Sequence, residues 1–243
     1  MLQNSIHIWI TDIEKIDDPY MLDVYRSILS PDEIQRCERL VKEQGRASFL
    51  IAHAMVRSVL SNYVEIAPKD LQFKSNANGK PKVFCEQGRP LPLEYNLSHS
   101  GRYAVMVVTN EIDCGIDVEK IDSGRDYIEI AENTFSVAEM IDLQSVGEEE
   151  QAKRFYTYWT LKEAYIKAKS ETIASSLNKI SFDLHHQNQI SVKLDNSGDE
   201  YKNWQFHTQL LDQEYILALA LQHNSPFDIK IELFETIPMQ VFG

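Results

Sequence analysis

The chain has 243 residues, enough for one large domain or two small ones with a sizeable core. Hydrophobic residues make up 43% and charged residues 25%, as in globular proteins, and nine glycines and eight prolines are too few for a collagen-like or low-complexity chain. Lys and Arg total 24 against 37 Asp and Glu, a net charge of −13 that excludes general attraction to nucleic acid or an anionic membrane; a polyanion must meet a local cation cluster or a bound metal.

No run approaches the roughly 18 apolar residues that span a bilayer. The first ten residues lack the basic segment and apolar core of a secretory signal. Three widely spaced cysteines, Cys37, Cys85 and Cys114, argue against a disulfide framework or zinc site and for reduced thiols in the cytoplasm. In chain order, Ile6, Ile8 and Ile10 alternate with His7 and Trp9, predicting a strand with one buried face. Ser30-Pro31-Asp32-Glu33 predicts a capped helix start, followed by a long helical pattern from Phe49 to Tyr63. Asn78-Gly79 marks a turn that Lys80-Pro81 leaves. Strands are predicted around Glu94–Leu97, Tyr103–Thr109 and Ile112–Val118. Ser136-Val137-Ala138-Glu139 is a second capping box, and Arg154–Lys169 is strongly helical. Strands then dominate: Lys179–Leu184, Gln189–Leu194, Trp204–Leu211, Tyr215–Gln222 and Ile229–Phe234. Helices precede strands in each half, which predicts an α+β fold of two related lobes, residues 1–110 and 111–243, although no sequence repeat proves duplication. Among the histidines, His53 on the apolar helix stripe reads as a core residue, and the His185-His186 pair points to opposite sides of a strand.

Four segments carry candidate chemistry. In Gly115-Ile116-Asp117-Val118-Glu119-Lys120, strand geometry puts Asp117 and Glu119 side by side, a pair that calls for a cation or a shared proton; the plainer reading is a solvated strand face. In Trp159-Thr160-Leu161-Lys162-Glu163-Ala164-Tyr165-Ile166-Lys167, Trp159, Glu163 and Lys167 share a helix face; Glu163 and Lys167 suit a metal and phosphate site, or an ordinary ion pair. Asn96-Leu97-Ser98-His99-Ser100-Gly101 reads as a strand running into a polar loop with the hydroxyls, imidazole and N–H groups that suit a phosphate, or a simple turn. Asn78-Gly79-Lys80-Pro81 fixes the direction of Lys80, as a phosphate ligand or a surface hairpin.

Together and in this order, these segments resemble the 4'-phosphopantetheinyl transferase superfamily, in its longer, Sfp-type form. Gly79-Lys80-Pro81, Asn96-Leu97-Ser98-His99-Ser100, Gly115-Ile116-Asp117-Val118-Glu119-Lys120 and Trp159-Thr160-Leu161-Lys162-Glu163-Ala164 carry the resemblance, which spans roughly residues 5 to 225. It implies two similar lobes related by a pseudo-twofold, each with helices on a mainly antiparallel sheet, in a monomer whose site forms at the junction. It implies transfer of the 4'-phosphopantetheine arm of coenzyme A to a serine of an acyl or peptidyl carrier protein, releasing adenosine 3',5'-bisphosphate. Asp117, Glu119 and Glu163 would hold Mg²⁺ on the pyrophosphate, with Lys162 and Lys167 nearby and Glu163 as the base. Lys80 and Pro81 would lie along the adenine, and Ser98, His99, Arg36 and Arg46 would serve the 3'-phosphate, with Arg39 and Lys42 close by. The carrier would dock through an apolar patch, placed by position near Ile128–Ile141. Two rivals are a Mg²⁺-dependent hydrolase of a coenzyme A or nucleotide pyrophosphate and a non-catalytic coenzyme A or carrier-binding module.

Overall fold

The computed structural model describes residues 2, 5–75, 79–170, 177–184, 190–194, 203–223 and 229–240. Asn78 and the His185-His186 pair lie outside the described residues. The chain divides into two compact units, Met1–Glu111 with Ile229–Gly243, and Ile112–Asp228. Among the described residues no helix is long and apolar enough to cross a membrane.

The first unit runs β1 (Ser5–Asp12), α1 (Pro19–Ile28), α2 (Pro31–Glu38), α3 (Glu43–Val64), β2 (Gln72–Ser75), β3 (Pro81–Phe84), β4 (Glu94–Ser100) and β5 (Tyr103–Thr109). The second runs β6 (Cys114–Lys120), α4 (Tyr127–Thr134), α5 (Val137–Ser145), α6 (Glu148–Lys169), β7 (Ile180–Asp183), β8 (Ser191–Leu194), β9 (Trp204–Leu211) and β10 (Tyr215–Gln222). Strand, three helices, small hairpin, larger hairpin: the same order occurs twice. Each unit is α+β. In the first, α3 packs its Leu50, Ile51, Met55 and Val59 into a core with Met106 and Val108 of β5. In the second, α6 contributes Phe155, Tyr158, Leu161 and Tyr165 to a core with Ile216 and Ala218 of β10.

The last strand departs from the division at residue 110. β11 (Lys230–Glu235), expected in the C-terminal lobe, runs parallel to β1 and completes a sheet of order β11-β1-β5-β4. Phe234 stacks on Trp9 at 4.8 Å, and Thr11 donates to the Thr236 carbonyl at 3.0 Å. Alternation predicts a strand but not which edge it joins; here β11 covers an edge of β1 whose backbone groups would otherwise lack partners. The second unit's sheet, β6-β10-β9, is wholly antiparallel.

Both predicted capping boxes form, and both anchor a buried ion pair. Ser30 and Glu33 cap α2, and Glu33 accepts from Arg57 Nε and Nη2 of α3 at 2.9 and 2.6 Å. Arg57 Nη1 also donates to the carbonyls of Pro68 and Leu71, just past α3. The second unit repeats the device. Ser136 and Glu139 cap α5, Lys162 Nζ of α6 lies 2.9 Å from Glu139 Oε2, and the same ammonium donates to the carbonyls of Leu177 and Ile180. Arg57 is 2% exposed, and Lys162 and Glu139 are 0% exposed. Desolvating such charges is costly, so each persists only because its donors and acceptors are filled. His53, read as a core histidine, stacks on Phe49 and bonds Glu33 at 3.2 Å.

Gly115 sets the spacing of the second unit. A Cβ there would lie 2.0 Å from the Ala164 carbonyl oxygen and 2.5 Å from the Ala168 nitrogen, both backbone atoms of α6. Only glycine allows β6 and α6 to approach this closely, and Ala164 and Ala168 supply the small side chains on the helix.

Three outcomes follow for stability. Burial alone would raise the Glu33 carboxyl, but hydrogen bonds from His53, Arg57 and the Ser30 backbone bring it down to about 2 from 4.5. Its folded value lies below its unfolded one, so its stabilisation is complete above pH 4.5 and disappears as pH falls towards 2. Glu33→Gln should therefore flatten the acid limb of a urea-unfolding stability curve, and an unchanged limb would contradict the pairing. Lys162→Met should cost about 3–5 kcal/mol in the same assay, with Glu139→Gln added to it recovering part of the loss. Gly115→Ala should destabilise by about 1–3 kcal/mol through overpacking, where an ordinary buried strand glycine would gain from the added methyl.

Candidate active site

Gly115, Asp117 and Glu119 alternate along β6 and share the face that meets α6. Antiparallel pairing with β10 fixes their register, Asp117 opposite Ala218 and Glu119 opposite Ile216. On α6, Glu163 sits beside Ala164 and Lys167 beside Ala168, next to the point of closest approach. The backbone contact at Gly115 thus brings two acids of the strand to an acid and a base of the helix.

Lys167 Nζ reaches across to Asp117 Oδ1 at 2.6 Å. The sequence left an intrahelical Glu163–Lys167 pair open; the ammonium instead bridges helix and strand, with the Asp117 side chain 4% exposed. Burial, then the negative charges of Asp117 and Glu119, push the Glu163 carboxyl up to about 7, against the pull of Lys167. Three acids therefore feel one another in a partly dry site with one ammonium beside them.

Among the described residues no three His, Cys, Asp or Glu side chains close into a ready-made metal site. The donor set nevertheless fits a hard divalent cation: all three groups offer carboxylate oxygens, and their mutual repulsion is the electrostatic demand such an ion meets. The spread of the acids has a physical cause, since like charges separate when only one ammonium lies between them.

Lys162 requires correction. The sequence reading put it beside the pyrophosphate, yet its three donors go to Glu139 and the carbonyls of Leu177 and Ile180, and it is wholly buried. Burial lowers its pKa, opposed by Glu139. Successive residues on a helix point about 100° apart, so Lys162 turns into the core where Glu163 turns to β6.

The N-terminal residues are described within their own unit. Lys80 is 6% exposed, with Nζ 3.7 Å from Glu94 Oε2, and Lys82 pairs with the same carboxylate at 2.9 Å. Pro81 opens β3. Ser98 and His99 lie within β4, not in a loop: the strand continues to Ser100 and turns at Gly101, whose φ is +52°. As neighbours in a strand they face opposite sides, Ser98 buried and His99 exposed, so one phosphate cannot draw on both side chains from one face. Arg36 is exposed on α2. Arg46 spends Nη1 on the carbonyls of Leu40 and Val41, stapling the link between α2 and α3. Glu33 occupies a position where a phosphate-binding base was sought, and its carboxylate is the buried partner of Arg57.

The residue that sequence reasoning passed over is Gly115. It was quoted as part of a motif but given no task. Ala164 and Ala168, four apart on the facing helix, carried the signal in their small size.

Residues 113–220 match the sequence profile of the 4'-phosphopantetheinyl transferase superfamily, and residues 19–111 match that of the 4'-phosphopantetheinyl transferase N-terminal region. The 4'-phosphopantetheinyl transferase Sfp of Bacillus subtilis is 29% identical over 214 residues, covering 88% of this chain and 91% of that one. The 4'-phosphopantetheinyl transferase HetI of Nostoc is 32% identical over 177 residues, 72% of each chain. The human L-aminoadipate-semialdehyde dehydrogenase-phosphopantetheinyl transferase is 28% identical over 207 residues, covering 80% of this chain and 67% of that one. The β6 and α6 acids fall inside the first matched region and the β2–β5 segment inside the second, so the chain belongs to the 4'-phosphopantetheinyl transferase superfamily.

Proposed function

We propose that the chain transfers the 4'-phosphopantetheine group of coenzyme A to a serine hydroxyl of an acyl or peptidyl carrier protein and releases adenosine 3',5'-bisphosphate. The observation that carries this reading is the convergence of Asp117, Glu119, Glu163 and Lys167 at the β6–α6 contact. The serine Oγ–phosphorus bond forms as the phosphorus–oxygen bond to the adenosine 5'-phosphate breaks. The electrophile is a pyrophosphate diester that already carries negative charge. Asp117, Glu119 and Glu163 would hold Mg²⁺, which when bound supplies positive charge to the pyrophosphate and the leaving group.

Glu163 suits proton transfer. A carboxyl raised to about 7 matches the pH at which a general base works best, and a serine hydroxyl is a weak nucleophile without one. Lys167, held in place on Asp117, offers a point charge beside the reacting phosphate. Lys80, Pro81, Ser98, His99, Arg36 and Arg46 remain our proposed adenosine-side residues, with Ser98 and His99 acting from separate faces of β4. Within Ile128–Ile141, the stretch expected to meet the carrier, Val137 and Ile141 are 78% and 64% exposed and one turn apart on α5, which supports that placement. Free thiols at Cys37, Cys85 and Cys114 support a reducing, cytoplasmic setting.

Intact mass measurement of an apo carrier protein after incubation with coenzyme A, Mg²⁺ and this chain tests the reaction class. A gain of one phosphopantetheine is expected. Consumption of coenzyme A with no gain in carrier mass would instead identify a hydrolase. Glu163→Gln should lower the transfer rate by about 10²–10⁴ while changing coenzyme A affinity far less; equal losses in calorimetry and transfer would leave Glu163 a ligand only.

A further inference from the structure

Past Glu119 the chain leaves β6 and forms a loop before α4, and a pocket of about 450 Å³ opens there, within the range of small-ligand sites. Its walls include Glu119, Lys120, Asp122, Ser123, Arg125 and Tyr156. The loop is fastened to α6: Tyr156 is 3% exposed, and its hydroxyl oxygen accepts from the Arg125 side chain and the Asp122 backbone N–H. Tyr156 lies seven residues before Glu163, two turns along one helix, so the pocket continues from the acids along α6 at roughly 10 Å. Glu119 belongs to both places, as an acid of the site and a wall of the pocket.

The charge of the pocket selects its occupant. Lys120 and Arg125 are offset by Glu119 and Asp122. A dianionic phosphate gains little from a wall of no net charge. A neutral chain with amides and a hydroxyl finds donors in Arg125 and Ser123 and acceptors in Asp122 and the Tyr156 oxygen. With Lys162 withdrawn into its buried pair, Arg125 is the nearest cation of this loop with a fixed orientation.

We propose that the Arg125–Tyr156 pocket receives the pantetheine arm of coenzyme A, with Arg125 and Tyr156 as binding residues that hold the arm in line with the acids. This assignment rests on the transferase reading above. None of these side chains has a part in the proton transfer or cation binding except Glu119.

Calorimetric affinities for coenzyme A and for adenosine 3',5'-bisphosphate, which lacks the arm, test it on the wild-type chain, Arg125→Ala and Arg125→Gln. Arg125→Ala should weaken coenzyme A binding about tenfold, the size of one lost hydrogen bond, and leave adenosine 3',5'-bisphosphate unchanged. Arg125→Gln keeps a donor and should recover most of the affinity. Coenzyme A affinity unchanged in Arg125→Ala, or an equal loss for both ligands, would overturn the assignment. A wild-type chain that binds neither ligand would instead overturn the transferase reading, and this assignment with it. Arg125 is exposed and its loss leaves the core intact, so a matching melting temperature separates binding from folding.

Discussion

The approach of β6 to α6 at Gly115 is the constraint on which the rest of the second unit depends. Backbone meets backbone there, with no room for a single Cβ. Every candidate group of that unit is placed by it. Asp117 and Glu119 follow Gly115 at two-residue steps on the same face, and Glu163 and Lys167 flank the two alanines on the other side of the contact. The bond between Lys167 and Asp117 is a consequence of that spacing. A helix standing further off would leave the acids on separate, solvated surfaces, where each would keep its ordinary pKa and hold a cation weakly.

The rest of the fold holds that contact steady. In each unit the glutamate of a capping box is buried against a cation of the 22-residue helix, and the cation also ties down the carbonyls that follow the helix. Glu33 with Arg57 and Glu139 with Lys162 are thus the same device in two units. One uses a planar guanidinium that bonds the carboxylate through two nitrogens, the other a compact ammonium. In the second unit the device fixes the rotation of α6. It turns Lys162 inward and leaves Glu163 and Lys167 toward β6. Two adjacent residues of one motif therefore have opposite tasks, one holding the helix and one facing the substrate.

Much of this was legible in the sequence. Both capping boxes, the strands Tyr103–Thr109, Trp204–Leu211 and Tyr215–Gln222, and the alternation that pairs Asp117 with Glu119 follow from local periodicity and form as read. What local pattern cannot carry is the identity of a distant partner. Glu33 and Arg57 are 24 residues apart, and β11 joins a strand more than 200 positions earlier. The motif also hid the burial of Lys162, because a lysine beside a glutamate looks the same whether its ammonium meets a phosphate or three buried acceptors. Ser98 and His99 were misread for a similar reason: polar residues suggested a loop, and tertiary pairing with β5 overrode that preference.

The central claim is that the three acids of β6 and α6 act on one divalent cation. A crystal structure of the chain with coenzyme A and Mg²⁺ bound tests it most directly. Carboxylate oxygens of Asp117, Glu119 and Glu163 should all lie about 2.0–2.1 Å from one ion, directly bonded to it. An ion seated away from the β6–α6 contact, or bonded to none of the helix's acids, would contradict the account.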